Sequence, residues 1–247
     1  RGIALATASS VFIGSVVNLF YVQKIMIPKK RFSLRSMKTV VNIGWPMALL
    51  QILWQLASMV LFLILSALPQ HRVEILAALT SGLRIESAIY LPAIAFNMAN
   101  AVIVGNFLGE KKNEDAFRSG MVTASIGVAI IVMMAIAVVL NAHWIASFLS
   151  TNKIVIHESM KYLYISMISE PFMAWGIILG GGLNGAGDTK SVMLRVALSL
   201  WLVRIPLSYV FVTLFGFGPT SVWWSMNLSQ FVQAFLISKR YFSKKWF

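Results

Sequence analysis

There is no cysteine among the 247 residues of this chain, which removes disulfide frameworks, thiolate metal sites and cysteine nucleophiles together. Acidic residues are almost as scarce. Eight Asp and Glu stand against 21 Lys and Arg, a formal charge of +13, and charged residues make up only 12% of the chain, about half of the ~25% in an ordinary soluble domain. That deficit excludes a water-soluble globule. The three histidines, His71, His143 and His157, are scattered, and neither H-E-x-x-H nor G-x-S-x-G occurs, so the common zinc and serine hydrolase sites are missing and an enzyme is not expected. The run Gly180 to Gly185 formally matches G-x-G-x-x-G, but a dinucleotide site needs a strand before it, and here an apolar helical run precedes it.

What is present is apolar: 58% hydrophobic residues and a mean hydropathy of +0.78. Crossing a ~30 Å hydrocarbon core takes roughly 20 apolar residues in a helix. Seven stretches qualify, near 4–23, 40–68, 75–108, 120–149, 162–183, 192–215 and 221–238. They are far too long for the ten-residue alternating strands of a barrel, which leaves an all-α integral membrane protein of seven transmembrane helices. The first stretch is too long for a signal-peptide core and has no small-residue cleavage site after it. The chain begins at Arg1 rather than Met, so further sequence upstream is expected.

The cations give an orientation. Starting outside, fifteen of the 21 Lys and Arg fall on one face, in breaks around Lys24 to Lys38, Lys111 to Arg118, Lys190 to Arg195 and Lys239 to Lys245; four fall on the other, and Arg84 and Arg204 lie within spans. By the positive-inside rule the C-terminus is cytoplasmic. This distribution also answers the basic net charge: it fits a membrane face, with lipids as the partner, and not nucleic acid. The longest break divides the chain into a lone helix, 1–23, a basic linker, 24–39, and a six-helix lobe, 40–247. An anionic-lipid clamp is an alternative reading of that linker.

Charges inside spans carry the most information, because each costs ~2.5–3.5 kcal/mol at a helix centre and faces a cavity or a partner. Glu170 is the only charge between Tyr162 and Gly187, and Pro171 behind it removes a backbone donor, so a local helix break exposing carbonyls to an ion is expected there. Arg204 is equally isolated, two residues before Pro206. Each stands 17 residues from Gly187, ~25 Å along its helix, so the two share a depth and are expected to approach each other, as a structural ion pair or as a switched pair beside an ion path. Arg84 and Glu86 open the third span, ahead of Pro92. With Glu86 ~34 Å of helix from Gly109, a headgroup-solvated acid and a site in the cleft both remain open. Gln51, Gln55, Asn97 and Asn100 add uncharged polarity, suited to interhelical hydrogen bonds or to substrate contacts. Gly176 with Gly180, Gly181 with Gly185, and Gly105 with Gly109 are small-x-x-x-small pairs that let helices approach closely. The sequon at Asn227 lies within a span and is not expected to be used.

At this point the run Gly181-Gly182-Leu183-Asn184-Gly185-Ala186-Gly187-Asp188-Thr189 resembles the helix-ending signature of multidrug and toxic compound extrusion (MATE) transporters. Gly44-Trp45-Pro46 with Gln51 resembles the helix that starts that family's second lobe. Arg84-Ile85-Glu86 with Pro92 and Val104-Gly105-Asn106-Phe107-Leu108-Gly109 is similar to the next helix, and Arg204-Ile205-Pro206-Leu207-Ser208-Tyr209 to the one before last. The resemblance implies the last helix of an N-terminal lobe followed by a complete C-terminal lobe. It further implies an antiporter that exports organic, often cationic and amphipathic compounds against inward H⁺ or Na⁺, by alternating access. Apart from the transported ion it implies no cofactor; its partners would be lipid, a small organic substrate and the missing N-terminal lobe, in the cell membrane.

Ion-coupling or cavity candidates are Glu86, Glu170, Arg204 and Arg84. Substrate-cavity candidates are Gln51, Gln55, Tyr90 and Asn97, and packing or hinge candidates are Pro46, Pro92, Pro171, Gly181, Gly185 and Gly187. The acid that some members carry on the helix matching 40–68 is absent, which speaks against a Na⁺ site of that type. A lipid-linked oligosaccharide flippase of related fold is the alternative, although its anionic cargo calls for more cavity cations; a seven-helix receptor shares only the topology.

Overall fold

The computed structural model describes residues 2–26, 34–68 and 71–247. Within them the chain is helical and contains no strand, as expected where every backbone N–H and C=O must be satisfied inside its own segment. Residues 1–41 and 42–247 form two compact units. The first contains α1 (Gly2–Met26) and the start of α2 (Leu34–Ser66). Pro28, Lys29, Lys30 and Arg31 of the expected basic linker lie outside the described residues.

In the second unit the rest of α2 is followed by α3 (Arg72–Gly109), α4 (Asn113–Leu140), a short α5 (Ala142–Leu149) and α6 (Lys153–Gly185). After these come α7 (Thr189–Leu198), α8 (Ile205–Tyr209) and α9 (Pro219–Phe242). Wide π turns at Ser199–Arg204 and Val210–Leu214 flank α8. Five segments are long and apolar enough to cross a membrane: Met37–Ser66, Arg72–Gly109, Asn113–Leu140, Lys153–Gly185 and Thr189–Leu214. The described apolar part of α1 is shorter, Ala8–Tyr21. Helix α9 is 24 residues long, but its polar side chains keep it out of that set.

The single span expected at 120–149 is instead two helices, because Asn141 leaves the helical region with φ −112 and ψ 14. Helix α4 already spans 28 residues, ~42 Å, so nothing requires it to continue. Helix α5 then lays Trp144 and Phe148, 68% and 79% exposed and stacked on each other, along one side, the pattern of a helix lying in a membrane interface.

Helix α6 is the axle of the lobe. Seventeen of its residues are buried, against α3, α4 and α9. Its glycines make this possible: a Cβ on Gly181 or Gly185 would collide with the backbone carbonyls of Asn97 and Ala101 on α3, and Gly105 of α3 faces the Gly185 carbonyl in return. Backbones this close gain dispersion contact that larger residues would hold apart. Asn97 and Asn100 then donate side-chain hydrogen bonds to the Ile177 and Ile178 carbonyls at 2.6 and 2.8 Å.

The break expected at Pro171 does not form, and α6 runs through it without interruption. Just before it, Asn227 Nδ2 donates to Ile165 O at 2.6 Å and Ser169 Oγ to Ser166 O at 3.0 Å. Pro46 and Pro92 likewise sit inside continuous helices. Helix α6 ends at Gly185, and the turn after it passes through Gly187, whose φ of 83 is open to glycine at little cost.

Candidate functional site

A cavity of about 510 Å³ opens between α2, α3, α6, α7 and α9. Glu86, Glu170, Gln51, Tyr90 and Asn97 all line it, so side chains spread over 120 residues of sequence meet on one wall. No Lys or Arg lines it among the described residues. Gln55 and Arg84 are exposed and stand apart from it.

Glu86 is half-buried on α3 and accepts a 2.7 Å hydrogen bond from the Tyr162 hydroxyl of α6. Tyr162 is fully buried and packs edge-on against Trp223 of α9, ring centroids 4.8 Å apart. Its ring occupies the space above Gly82, where a Cβ would overlap it. Glu170, two turns further along α6, is 2% exposed and its Oε2 has no partner. The carboxyls of Glu86 and Glu170 line the same cavity. Asn184 Oδ1 and Gln230 Oε1, also on the cavity wall, are likewise buried without a donor. Buried acceptors left in this condition call for a hydrogen-bond donor or a cation.

The pair expected between Glu170 and Arg204 is not formed. Arg204 is 7% exposed, and its Nε donates to Ser229 Oγ of α9 at 2.8 Å. Its guanidinium lies 5.7 Å from the centroid of the Trp54 ring. None of the ion pairs among the described residues includes Glu86, Glu170 or Arg204. The reason is local geometry. Pro206 lacks a donor, and the chain before it winds as a π turn through Arg204, which shifts the azimuth of every later side chain relative to an even α-helical count. Equal depth along two helices therefore does not bring the two heads together.

Five contributors have little or no sequence signal. Tyr162 is one aromatic among many in an apolar run, and Trp54 needs the fold to bring it to Arg204. Gln230 and Gln233, three apart on α9, share a helix face, and that spacing is the one clue the sequence offers. Asn184 sits within the glycine run that ends α6.

At the opposite end from α5 the turns close on the C-terminus. Arg240 of α9 pairs with Asp188 at 2.6 Å, Lys244 pairs with Glu114, and the Tyr241 hydroxyl donates to Phe117 O at 3.1 Å. The 110–112 turn, the 186–188 turn and the C-terminal segment thus share one end of the lobe.

A helical membrane lobe built around an acid-lined central cavity is a transporter architecture, and the comparisons agree. The MatE family model matches residues 46–210, more than half of the chain, and the chain belongs to that family of transporters. Among curated relatives it is 22% identical over 254 residues to the uncharacterized transporter YisQ of Bacillus subtilis, covering 99% of this chain and 54% of the relative. It is 24% identical over 263 residues to the probable multidrug resistance protein NorM of Thermotoga maritima, covering 100% and 53%. Among solved structures it superposes on the MATE transporter ClbM in complex with Rb⁺, with a TM-score of 0.77 at 18% identity, covering 84% of this chain and 47% of that one. The chain spans about half the length of the curated relatives it matches.

Proposed function

We propose that this chain supplies the C-terminal lobe of a secondary active antiporter that exports organic, cationic or amphipathic compounds in exchange for H⁺ or Na⁺, working with an N-terminal lobe across a shared cleft. The observation that carries this reading is the cavity wall: two acids and two further unpartnered oxygen acceptors, with no lining Lys or Arg among the described residues. An intramembrane acid is retained at a cost of several kcal/mol, and one that lines a cavity is free to exchange a proton or cation with the substrate path. The name of the Thermotoga relative, a probable multidrug resistance protein, supports export of organic compounds, and the Rb⁺ bound to ClbM supports a monovalent cation as the exchanged ion.

The cationic loops support a cytoplasmic C-terminus and a plasma or inner membrane location. The flippase reading is disfavoured by the same wall, because an anionic cargo would meet Glu86 and Glu170 instead of cations. The test is transport by the full-length protein in vesicles under an imposed H⁺ or Na⁺ gradient. Glu86→Gln is expected to insert normally and to lower ion-driven efflux of an organic cation at least tenfold. Unchanged coupling would reduce Glu86 to a structural partner of Tyr162.

A further inference from the structure

A second recess, of about 590 Å³, lies between α4, α6 and α9. Val128 of α4, Phe172 and Trp175 of α6, and Phe231 and Phe235 of α9 wall it. Phe172 and Trp175 stand on a different face of α6 from Met173, Gly176 and Gly180, which line the central cavity. The Phe172 and Phe231 rings meet with centroids 4.3 Å apart, while Phe172 and Phe235 keep 44% and 66% of their surface exposed. No charged residue lines the recess. Its two polar groups are spent on each other, Trp175 Nε1 donating to Ser238 Oγ at 2.9 Å, and none of the unpartnered buried polar atoms belongs to its walls. An organic cation would find neither a counter-charge nor a free acceptor here, in contrast to the central cavity. A hydrocarbon chain needs neither.

The recess also has a direction. Ser238 at one end is four residues from the end of α9 at Phe242, and Phe172 is 13 residues from the end of α6 at Gly185, ~6 and ~20 Å along their helices. The trough therefore runs from the basic end of the lobe through about the depth of one leaflet, half of a ~30 Å core. Lys239 is exposed at that end, one turn beyond Phe235 and two beyond Phe231 on the same face of α9. Glu110, Glu114 and Asp188 at the same end are taken by Lys112, Lys244 and Arg240, and no ion pair among the described residues includes Lys239. We propose that this recess is a phospholipid site. An acyl chain of the leaflet next to the basic end lies in the trough, and an anionic headgroup rests on Lys239, whose apolar stem follows the helix while its ammonium reaches the phosphate. The trough also takes in Pro171, one residue after Glu170 of the central cavity, so the chain packs against α6 where proline has removed a backbone donor.

The test is native mass spectrometry of the full-length protein from mixed micelles holding equal amounts of phosphatidylglycerol and phosphatidylethanolamine with identical acyl chains. The wild type is expected to keep a phosphatidylglycerol through delipidation. Val128→Trp, which fills the trough, should weaken retention about tenfold. Phe235→Ala removes one wall without overpacking, so it covers the case in which the first variant does not fold, and should also weaken retention about tenfold. Val122→Trp, at an exposed position of α4 outside the recess, should retain the lipid as the wild type does, and Lys239→Glu should keep a lipid but lose the preference for phosphatidylglycerol. Wild-type retention in both recess variants, or an equal loss in Val122→Trp, marks unspecific boundary lipid and overturns the site. An unchanged preference in Lys239→Glu overturns the headgroup contact. Ethidium that displaces the lipid from the wild type would make the recess a substrate site, and a wild-type dimer that Val128→Trp dissociates would make it a subunit contact; either overturns the proposal. The readout is bound lipid and not transport, so its failure and that of the antiport reading are seen separately.

Discussion

At Gly181 and Gly185 a single methyl group decides whether α3 and α6 can touch. A Cβ at either position would enter the space of a backbone carbonyl on α3, which has no rotamer to escape into, so the helices must separate. Gly185→Ala is expected to cost about 1–3 kcal/mol, the usual range for overpacking a tight interface, seen as a lower midpoint of thermal unfolding in detergent. Gly109→Ala meets open space and is expected to be neutral or slightly stabilising, since alanine is the better helix former by about 1 kcal/mol. Equal losses at both positions would mean that general helix propensity, not contact, governs the response. Tyr162 can be tested at the same scale. Tyr162→Phe keeps the edge-on packing against Trp223 and deletes only the hydroxyl bonded to Glu86, so a stability loss of about 1 kcal/mol is expected. The ion concentration that half-saturates transport should move with it, whereas Tyr164→Phe, on the exposed side of α6, should move neither quantity.

Helix α9 shows what an element contributes that its hydropathy conceals. Its polar residues look like interruptions in a weak span, but Ser225, Asn227, Ser229 and Gln233 are all buried and turned toward the rest of the lobe. Asn227 alone ties two positions of α6: its Nδ2 donates to Ile165 O, and its Oδ1 accepts from Ser169 Oγ. Asn227→Ala would delete both hydrogen bonds, and a loss of about 1–3 kcal/mol in unfolding free energy is expected, against about 0 for Asn141→Ala, whose side chain bonds only its own helix. The helices were legible because an apolar run in this composition has one structural solution. The glycine pairs of α3 and α6 were legible too, because spacing alone places them on one face. Azimuth was not. Counting residues fixes depth, so Glu170 and Arg204 read as partners, while the π turn before Pro206 and the hydroxyl of Ser229 send the guanidinium elsewhere. Gln55 and Gln51 are four apart on α2, yet only Gln51 reaches the cavity, a distinction set by how α2 is rotated and not by any property of the two side chains.

For the whole molecule, the absence of cysteine noted at the outset becomes an experimental advantage. Any single cysteine introduced into these 247 residues is the only thiol among them, so labelling within them reports one site. The lobe has two ends. One gathers the 110–112 turn, the 186–188 turn and the C-terminal segment through the Asp188 to Arg240 and Glu114 to Lys244 pairs, and carries Lys111, Lys112, Lys190, Lys239, Lys244 and Lys245. The other carries the α2 to α3 and α5 to α6 connections, with His71 and Asn152. Positive charge is retained on the cytoplasmic face during insertion because translocating it is unfavourable, so the first end should face inward. In intact cells a membrane-impermeant maleimide is expected to label His71→Cys and Asn152→Cys, and to label Lys111→Cys and Ser243→Cys only after permeabilisation. His71→Cys sits at a left-handed backbone position, φ 51, and carries some strain on substitution, so Asn152→Cys, with extended backbone, is the stricter reporter of the outer face. The reverse pattern would invert the lobe. It would also turn the basic ends outward, leaving the charge distribution without the insertion bias that explains it.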